Sequence, residues 1–351
     1  MPTVRYALST AARGLRAFLE LEAGVVRDGV PGPESVREQP PKPGEVERLR
    51  KLLAEKERRI SALQAARDGG GVRPENVVWI FGTGRSGNTW LSSMMGDIRG
   101  HVTWREPNVG ALFGEFYFVN SFEGQRKSSN FILGEKEKAT WLHSIRSFVL
   151  DGARSRFPDL GEGGYLTIKE QIGSIGAPLL IEALPESRMV LLVRDPRDVV
   201  ASVLDASREG AWHHERRKDD PRWKASADQG PDALAEERAE RYLKQVGAAK
   251  RAYDAHAGPK VLVRYEELRA DALGTMRRLY SGLGVPVDDM ELARVVEKHS
   301  WENIPEEKRG EGKFYRKAKP GSWREDLTPR QAELVERITG PLLEKFYPRE
   351  G

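Results

Sequence analysis

The stretch Trp79-Ile-Phe-Gly-Thr-Gly-Arg-Ser-Gly-Asn-Thr-Trp90 reads as a buried strand, a tight glycine-rich turn and the first turn of a helix. Such a turn gathers backbone N–H groups into a nest at a helix N-terminus. The peptide dipoles there favour negative charge, so the nest suits a phosphate or a sulfate. The nucleotide-kinase form of this loop is GxxxxGK[ST], whose lysine reaches the β- and γ-phosphates. Here the frame is Gly82-Thr-Gly-Arg-Ser-Gly87-Asn88-Thr89, with Asn88 in the lysine position and a permanently charged fork, Arg85, earlier in the turn. The loop keeps an anion-binding shape without the kinase lysine. Its glycines allow close approach, and Ser86 and Thr89 add hydroxyls.

Downstream, short apolar runs at Tyr165–Lys169, Arg188–Val193 and Lys260–Arg264 join Val77–Phe81 as predicted strands. Helices are predicted over Thr89–Ile98, from Asp198 to Glu209, and around Asp271–Leu283. The runs lack clean alternation, as parallel strands covered on both faces do, so residues 74–290 read as alternating strands and helices. A charged segment near 207–230, with Trp212, His213, His214 and Trp223, interrupts this pattern. It is either a loop over an active site or solvated filler. Residues 291–351 hold a helix, the basic run Lys313-Phe-Tyr-Arg-Lys317, then Gly321 and Trp323. A last helix follows, capped by Thr328, opened by Pro329 and running towards Phe346.

Residues 1–70 read as a helical extension to a main domain at 71–351. A first helix ends near Gly24, Pro31 to Pro43 forms a linker, and a charged helix runs from Glu45 to about Arg67. Val46, Leu49, Leu53, Ile60 and Leu63 recur at roughly helical spacing. That stripe is either a short coiled-coil face, pairing copies of the chain through 44–67, or a face laid on the main domain.

Composition narrows the class. The 351 residues suffice for one large domain plus an appendage, and 57 Lys+Arg against 53 Asp+Glu leave a formal charge of only +4. That balance argues against a dedicated nucleic-acid binder. There is no cysteine, hence no disulfide framework or thiolate metal site, and the six histidines form no HExxH pattern. No apolar run approaches the ~20 residues of a membrane span. A cytoplasmic protein is the default reading, with peripheral membrane contact through Leu15, Phe18, Leu19 and Leu21 as the alternative to packing on its own domain.

A second anion element follows the strand that ends at Val193: Arg194-Asp-Pro-Arg-Asp-Val-Val-Ala-Ser202. Arg194 stands at a strand's C-terminal end, where open α/β sheets bind ligands. Asp195 or Asp198 can cap the next helix, and Ser202 lies within that helix on the side that can face Arg194. Arg194 has a purely structural alternative, an ion pair with Asp198. A third basic cluster is Arg316-Lys317.

With these elements in order, the chain strongly resembles the sulfotransferase family that uses 3'-phosphoadenosine 5'-phosphosulfate (PAPS). Phe81 to Leu91 matches the family's 5'-phosphosulfate loop, and Arg194 to Ser202 its 3'-phosphate segment. Val263-Arg-Tyr-Glu-Glu-Leu268 looks like its strand ending in Tyr-Glu-Asp/Glu-Leu. Arg316-Lys-Ala-Lys-Pro-Gly-Ser-Trp-Arg324 is similar to its C-terminal element, with Ala318 where the family often has glycine. The likeness covers roughly 76–350. It implies a P-loop-like three-layer α/β fold with a central parallel sheet, PAPS as donor, its bisphosphate PAP as product, and no metal requirement. By position, Arg85, Ser86, Gly87, Asn88 and Thr89 hold the 5'-phosphosulfate, and Trp90 and Tyr265 flank adenine. Arg194 and Ser202 bind the 3'-phosphate together with Arg316 and Lys317.

The resemblance implies in-line transfer of SO3 to a hydroxyl or, less readily, an amine. Arg85, the loop amides and Lys169, at the end of Tyr165–Lys169, are candidates to stabilise the developing charge. The small-molecule branch has a histidine base two residues after that lysine; here the position is Gln171. Glu106, in Trp104-Arg-Glu-Pro107, and Glu170 are the replacement candidates for the base, Glu106 being preferred, with His101 a weaker one. Absence of the histidine tilts the acceptor towards a glycan, glycolipid or other hydroxyl-bearing small molecule, which aromatic residues such as Phe113, Phe116, Tyr117, Trp212 and Trp223 can stack on. The rival enzyme is a P-loop small-molecule kinase. A rival of another class is an inactive scaffold binding a helical partner.

Overall fold

The computed structural model of the chain describes residues 71–121, 137–161, 163–220 and 230–348, together with helical positions 48, 51 and 54–56. The chain divides into two units, Met1–Arg59 and Ile60–Gly351, and every element below belongs to the second. The apolar stripe of 44–67, the proline-rich linker, the N-terminal apolar residues and Trp223 lie outside the described residues.

Five strands, Val77–Phe81 (β1), His101–Arg105 (β2), Tyr165–Lys169 (β3), Arg188–Val193 (β4) and Lys260–Arg264 (β5), form one sheet in the order β2-β3-β1-β4-β5. Every pairing is parallel. In β1 all five side chains are buried, and their alternation divides them between two layers. Val77, Trp79 and Phe81 pack with apolar residues of the Lys138–Arg156, Ala177–Ala183, Pro231–Ala255 and Pro329–Phe346 helices. Val78 and Ile80 pack on the other face with the Asn88–Gly96, Tyr265–Ala270, Ala272–Leu283 and Asp289–Lys298 helices. The result is a three-layer α/β sandwich. Each large apolar side chain so buried contributes about 1.5–3 kcal/mol, and the sheet's centre is correspondingly rigid. Trp79, stacked on Phe81 with centroids 5.6 Å apart, also satisfies its indole N–H on Ser187 Oγ at 3.1 Å.

The four expected strands occur at their expected bounds. β2 is an addition: it is an edge strand of half-exposed His, Thr, Trp and Arg, with no apolar run to announce it. Local chemistry fixes the helix starts. Asp195 accepts from Arg197 N, and Pro196 opens a helix reaching Ser207, two residues earlier at each end than expected. Thr328 and Gln331 form a reciprocal capping box for Pro329–Phe346. Among the described residues, no helix is long and apolar enough to cross a membrane.

Candidate active site

Because the sheet is parallel, Phe81, Arg105, Lys169, Val193 and Arg264 all end on one edge, and the chain's candidate site residues follow those ends. The turn after Phe81 is glycine by necessity. Gly87 has φ 91°, and a Cβ there would lie 2.7 Å from Tyr265 Cδ2. A Cβ at Gly82 would overlap the Leu192 carbonyl oxygen. Asn88, in the kinase-lysine position, turns its side chain inward and donates to Thr83 O at 2.7 Å, bracing the loop. Ser86 Oγ is buried without a hydrogen-bond partner among the described residues. Thr89 Oγ1 accepts from Lys169 Nζ at 3.2 Å.

The loop opens into a cavity of about 430 Å³ that Arg194, Ser202, Tyr265, Arg316 and Lys317 also line. Arg194 lies 4.4 Å over the Tyr265 ring and donates to Arg85 O at 3.0 Å, while its Nε has no hydrogen-bond partner among the described residues. Its Nη2 is 3.8 Å from Asp198 Oδ2, so the anticipated ion pair exists, but Asp198 does more. Fully buried, it accepts from Gly321 N at 2.7 Å and Trp323 N at 2.9 Å, drawing the 316–323 segment onto Arg194. Within that segment Arg316 is fixed by Asp326 at 2.7 Å and Ser322 at 2.9 Å, and Lys317 by Asp326 at 2.8 Å. Ala318 adopts a left-handed conformation, φ 48°, of the kind that favours glycine, and its carbonyl accepts from Arg269 Nε at 3.2 Å.

Arg85 stands where two of the expected groups meet. Its Nε donates to Ser202 Oγ at 3.0 Å and its Nη2 to Phe314 O at 2.8 Å. The guanidinium lies against the rings of Trp212, at 5.5 Å, and Phe314, at 5.2 Å, which themselves meet edge-to-face at 5.2 Å. Burial, then Arg194 and Arg316, lower its pKa to about 10. The resemblance assigns Arg85 to the 5' end and Ser202 to the 3' end of the donor; here the two side chains meet in one continuous wall. Trp90 is half-buried in the same wall, edge-on to Tyr265 at 6.4 Å, its indole held by His299 O at 2.8 Å.

The two candidate carboxylates differ sharply. Glu106 follows β2 with φ 50°, its Oε1 3.2 Å from Lys169 Nζ and its Oε2 accepting from Ile172 N at 3.2 Å. Burial raises its pKa, and Lys169 opposes the rise. Thr89, Lys169 and Glu106 thus form a polar chain leading from the loop to the end of β2. Glu170 is fully buried: one oxygen accepts from Val109 N at 2.7 Å, and the other abuts Gly173 so closely that a Cβ there would overlap it. Burial pushes its pKa up to about 8. Glu170 therefore braces the 109–115 and 172–176 turns, while Gln171 lines the cavity. His101 begins β2, at the opposite edge of the sheet, stacked on Tyr280 at 5.7 Å. It is a packing residue remote from the site.

Several lining residues had no motif to announce them. Gln245, on Pro231–Ala255, accepts from Thr83 Oγ1 at 2.8 Å and donates to Ile172 O at 3.3 Å. Arg217 and Arg269 line the cavity from the Trp212–Arg217 and Tyr265–Ala270 helices, and Arg238 and Arg241 line it from the same helix as Gln245. The one available signal was their spacing, i, i+3 and i+7 along a single helix face.

A loop nest at a parallel sheet's C-terminal edge, facing arginines and a lysine from remote segments, defines an α/β protein with a strongly basic cavity. The sulfotransferase domain family matches residues 75–347, and the chain belongs to that family. A curated relative, cytosolic sulfotransferase 17 of Arabidopsis thaliana, is 28% identical over 200 residues, which are 47% of this chain and 53% of the relative; the chain thus spans about half its length. Among solved structures, sulfotransferase STF9 from Mycobacterium avium has a TM-score of 0.49 at 14% identity, covering 81% of this chain and 79% of that one. Mouse sulfotransferase SULT7A1, complexed with PAP, has a TM-score of 0.47 at 16% identity, covering 82% and 89%.

Proposed function

We propose that the chain transfers a sulfonate group from PAPS to the hydroxyl of a glycan or other small-molecule acceptor. The observation that carries this reading is the convergence at one cavity. Residues 83–85 and 87–89 of the loop, the Arg194/Ser202 element and the 316–318 segment, far apart in sequence, line a single cavity with no Asp or Glu in its described wall. The residues fit a ligand with a phosphate-type group at each of two places. Ser86 Oγ and Arg194 Nε are buried hydrogen-bonding atoms without partners among the described residues, and Gly82 and Gly87 let the loop pack against the Leu192 carbonyl and the Tyr265 ring, which fixes its shape. The donor supplies the activated sulfonate. The loop amides, Arg85 and Thr89 hold its 5' end, and Arg194, Ser202, Arg316 and Lys317 its 3'-phosphate. Trp90 and Tyr265 flank the base.

In the transfer, the acceptor oxygen bonds to sulfur as the sulfur–oxygen bond to the phosphate breaks, and the acceptor proton passes to a base. We assign that base to Glu106. Its carboxylate does not itself line the cavity but lies beside Lys169 and accepts from the lining residue Ile172, and its raised pKa strengthens it as a proton acceptor. Lys169, within reach of Thr89 and Glu106, is positioned to offset negative charge developing in transfer. Glu170 is assigned a structural part instead. Gln171 in the histidine position favours the carbohydrate side of the family.

Calorimetric titration of PAP against ATP-magnesium tests the donor. Micromolar binding of PAP with weak ATP binding is expected, and the reverse would establish the kinase alternative. For the base, Glu106→Gln is expected to lower turnover roughly 100-fold or more while leaving PAP affinity in place. If Glu170→Gln does this and Glu106→Gln does not, the assignment must be exchanged.

A further inference from the structure

The donor residues do not account for all the positive charge in the cavity. Arg85, Arg194, Arg316 and Lys317 are assigned to the donor, and Arg269 is tied to the Ala318 carbonyl. Arg217, Arg238 and Arg241 remain, all lining the same space. Arg238 and Arg241 share a helix face with Gln245, whose side chain joins the donor loop at Thr83 to Ile172, next to Gln171. The face therefore leads away from the loop, from Gln245 through Arg241 to Arg238, along the wall past the position where the family's small-molecule branch carries its base.

Among the described residues these arginines have little counter-charge. Arg238 and Arg241 share one carboxylate, Glu237, at 3.7 and 3.4 Å. Arg238 keeps only 16% of its side-chain surface exposed, and its buried Nε has no hydrogen-bond partner among the described residues. Burial lowers its pKa; Glu237 opposes the fall, while Arg241 and Arg217 add to it. The same charge surplus acts on His213 opposite: burial, then Arg217, Arg238 and Arg85, depress its pKa to about 4, so it faces the cavity as a neutral ring. Grouping like charges beside a buried, unpaired N–H is unfavourable unless an anion completes the site.

We propose that the acceptor side of the cavity is built for a hydroxyl compound carrying its own anionic group, a phosphate or sulfate ester, which Arg217, Arg238 and Arg241 bind. This rests on the sulfotransferase reading and adds the acceptor's class to it. An acceptor anchored by its charge presents a hydroxyl to the donor with little need for shape recognition. Arginine forks bind such tetrahedral anions through paired, charge-assisted hydrogen bonds.

The test uses the full chain saturated with PAP, titrated calorimetrically with inorganic sulfate and, separately, with inorganic phosphate. A second anion site is expected. Its affinity should fall about tenfold or more in the Arg217→Gln/Arg241→Gln double variant, whose altered residues are exposed, while PAP affinity changes less than about threefold. No anion binding to the PAP-loaded wild type overturns the proposal. So does anion binding that persists in the double variant, since it would then belong to the vacated sulfonate seat. Failure of PAP itself to bind strikes the donor reading separately, and sulfate titration of wild type against variant on the ligand-free chain still decides the role of the arginines. With labelled donor, ester-bearing acceptors should show a KM raised about tenfold or more in the variant. A preference of the wild type for neutral acceptors overturns the proposal.

Discussion

The two cationic walls of the cavity are built in opposite ways. On the donor wall each charge is tied into the fold. Arg194 is held by Arg85 O and the Tyr265 ring, Arg316 by Asp326 and Ser322, and Lys317 by Asp326. On the other wall Arg217 and Arg241 are exposed, and Arg238 shares a single surface carboxylate with Arg241. A wall of tied side chains is set before its ligand arrives and loses little freedom on binding. A wall of loosely held arginines must be ordered by what binds it, at a cost of roughly 0.5–1.5 kcal/mol per immobilised side chain. The contrast suits a fixed donor and a variable acceptor.

The strongest way to break this contrast is to cut its central tie. Asp198→Ala removes the acceptor of Gly321 N and Trp323 N and leaves Arg194 without its buried counter-charge. A loss of about 3–5 kcal/mol in denaturant-unfolding free energy is expected, with PAP binding weakened as the 316–323 segment comes loose. Arg241→Gln, on the loosely held wall, should move stability by no more than about 0.5 kcal/mol. Equal effects from the two would mean that the walls do not differ as described.

The next test addresses the donor wall as a binding surface. Arg194→Ala should weaken PAP by about 1.5–3 kcal/mol, a factor of roughly 10 to 150, because a charged hydrogen-bond partner is lost from a buried position. Arg85→Ala should do the same and also release Ser202 and Phe314 O. Unchanged affinity in both variants would remove these residues from the donor site.

The two walls also differ in how far the sequence announces them. The turn at 82–89 is legible because backbone geometry demands its residue types: Gly87 faces the Tyr265 ring, and Gly82 faces a carbonyl. The apolar runs of β1, β3 and β4 are legible because both their faces are covered. β2 is not, since an edge strand needs no apolar run, and its absence from the reading left Glu106 without a structural address. Arg194 and Ser202 could be paired because one stands at a strand's C-terminal end and the other on the helix that follows it. That Arg85 would reach Ser202 could not, because the contact depends on side-chain reach across a cavity. Arg238 and Arg241 look like any charged face of a long helix until Gln245 fixes which side turns inward. Glu170 and Glu106 are chemically alike in sequence, and only burial separates them.

That separation gives a pH prediction. Glu170 carries a folded-state pKa raised to about 8, far above an unfolded glutamate's. The native chain therefore holds a proton between about pH 4.5 and 8 that the unfolded chain has released. The stabilisation linked to this proton is complete below about pH 4.5 and is lost as pH rises towards 8, with a slope of at most about 1.4 kcal/mol per pH unit. Glu170→Gln keeps an acceptor for Val109 N but cannot ionise, so its stability should lack this decline and exceed the wild type's at pH 9. Parallel stability–pH curves for the two proteins would show that the buried carboxyl does not titrate as described.

The smallest expected effect sharpens the idea that the donor wall is set in advance. Ala318 holds φ 48°, where an L-residue bears a cost of roughly 1–2 kcal/mol that glycine escapes. Glycine returns about 0.5–1 kcal/mol of this through the larger entropy of the unfolded chain. Ala318→Gly should therefore stabilise the protein by about 1 kcal/mol or less, a rise of a few degrees at most in Tm. Its backbone already has the geometry glycine would adopt, with the carbonyl fixed by Arg269. PAP affinity should accordingly stay within about twofold, because neither state of the binding equilibrium gains a contact. A tenfold gain in affinity without a gain in Tm would mean that the turn at 318 forms only when the ligand binds, and the contrast between a prepared wall and a loose one would then fail at its firmest point.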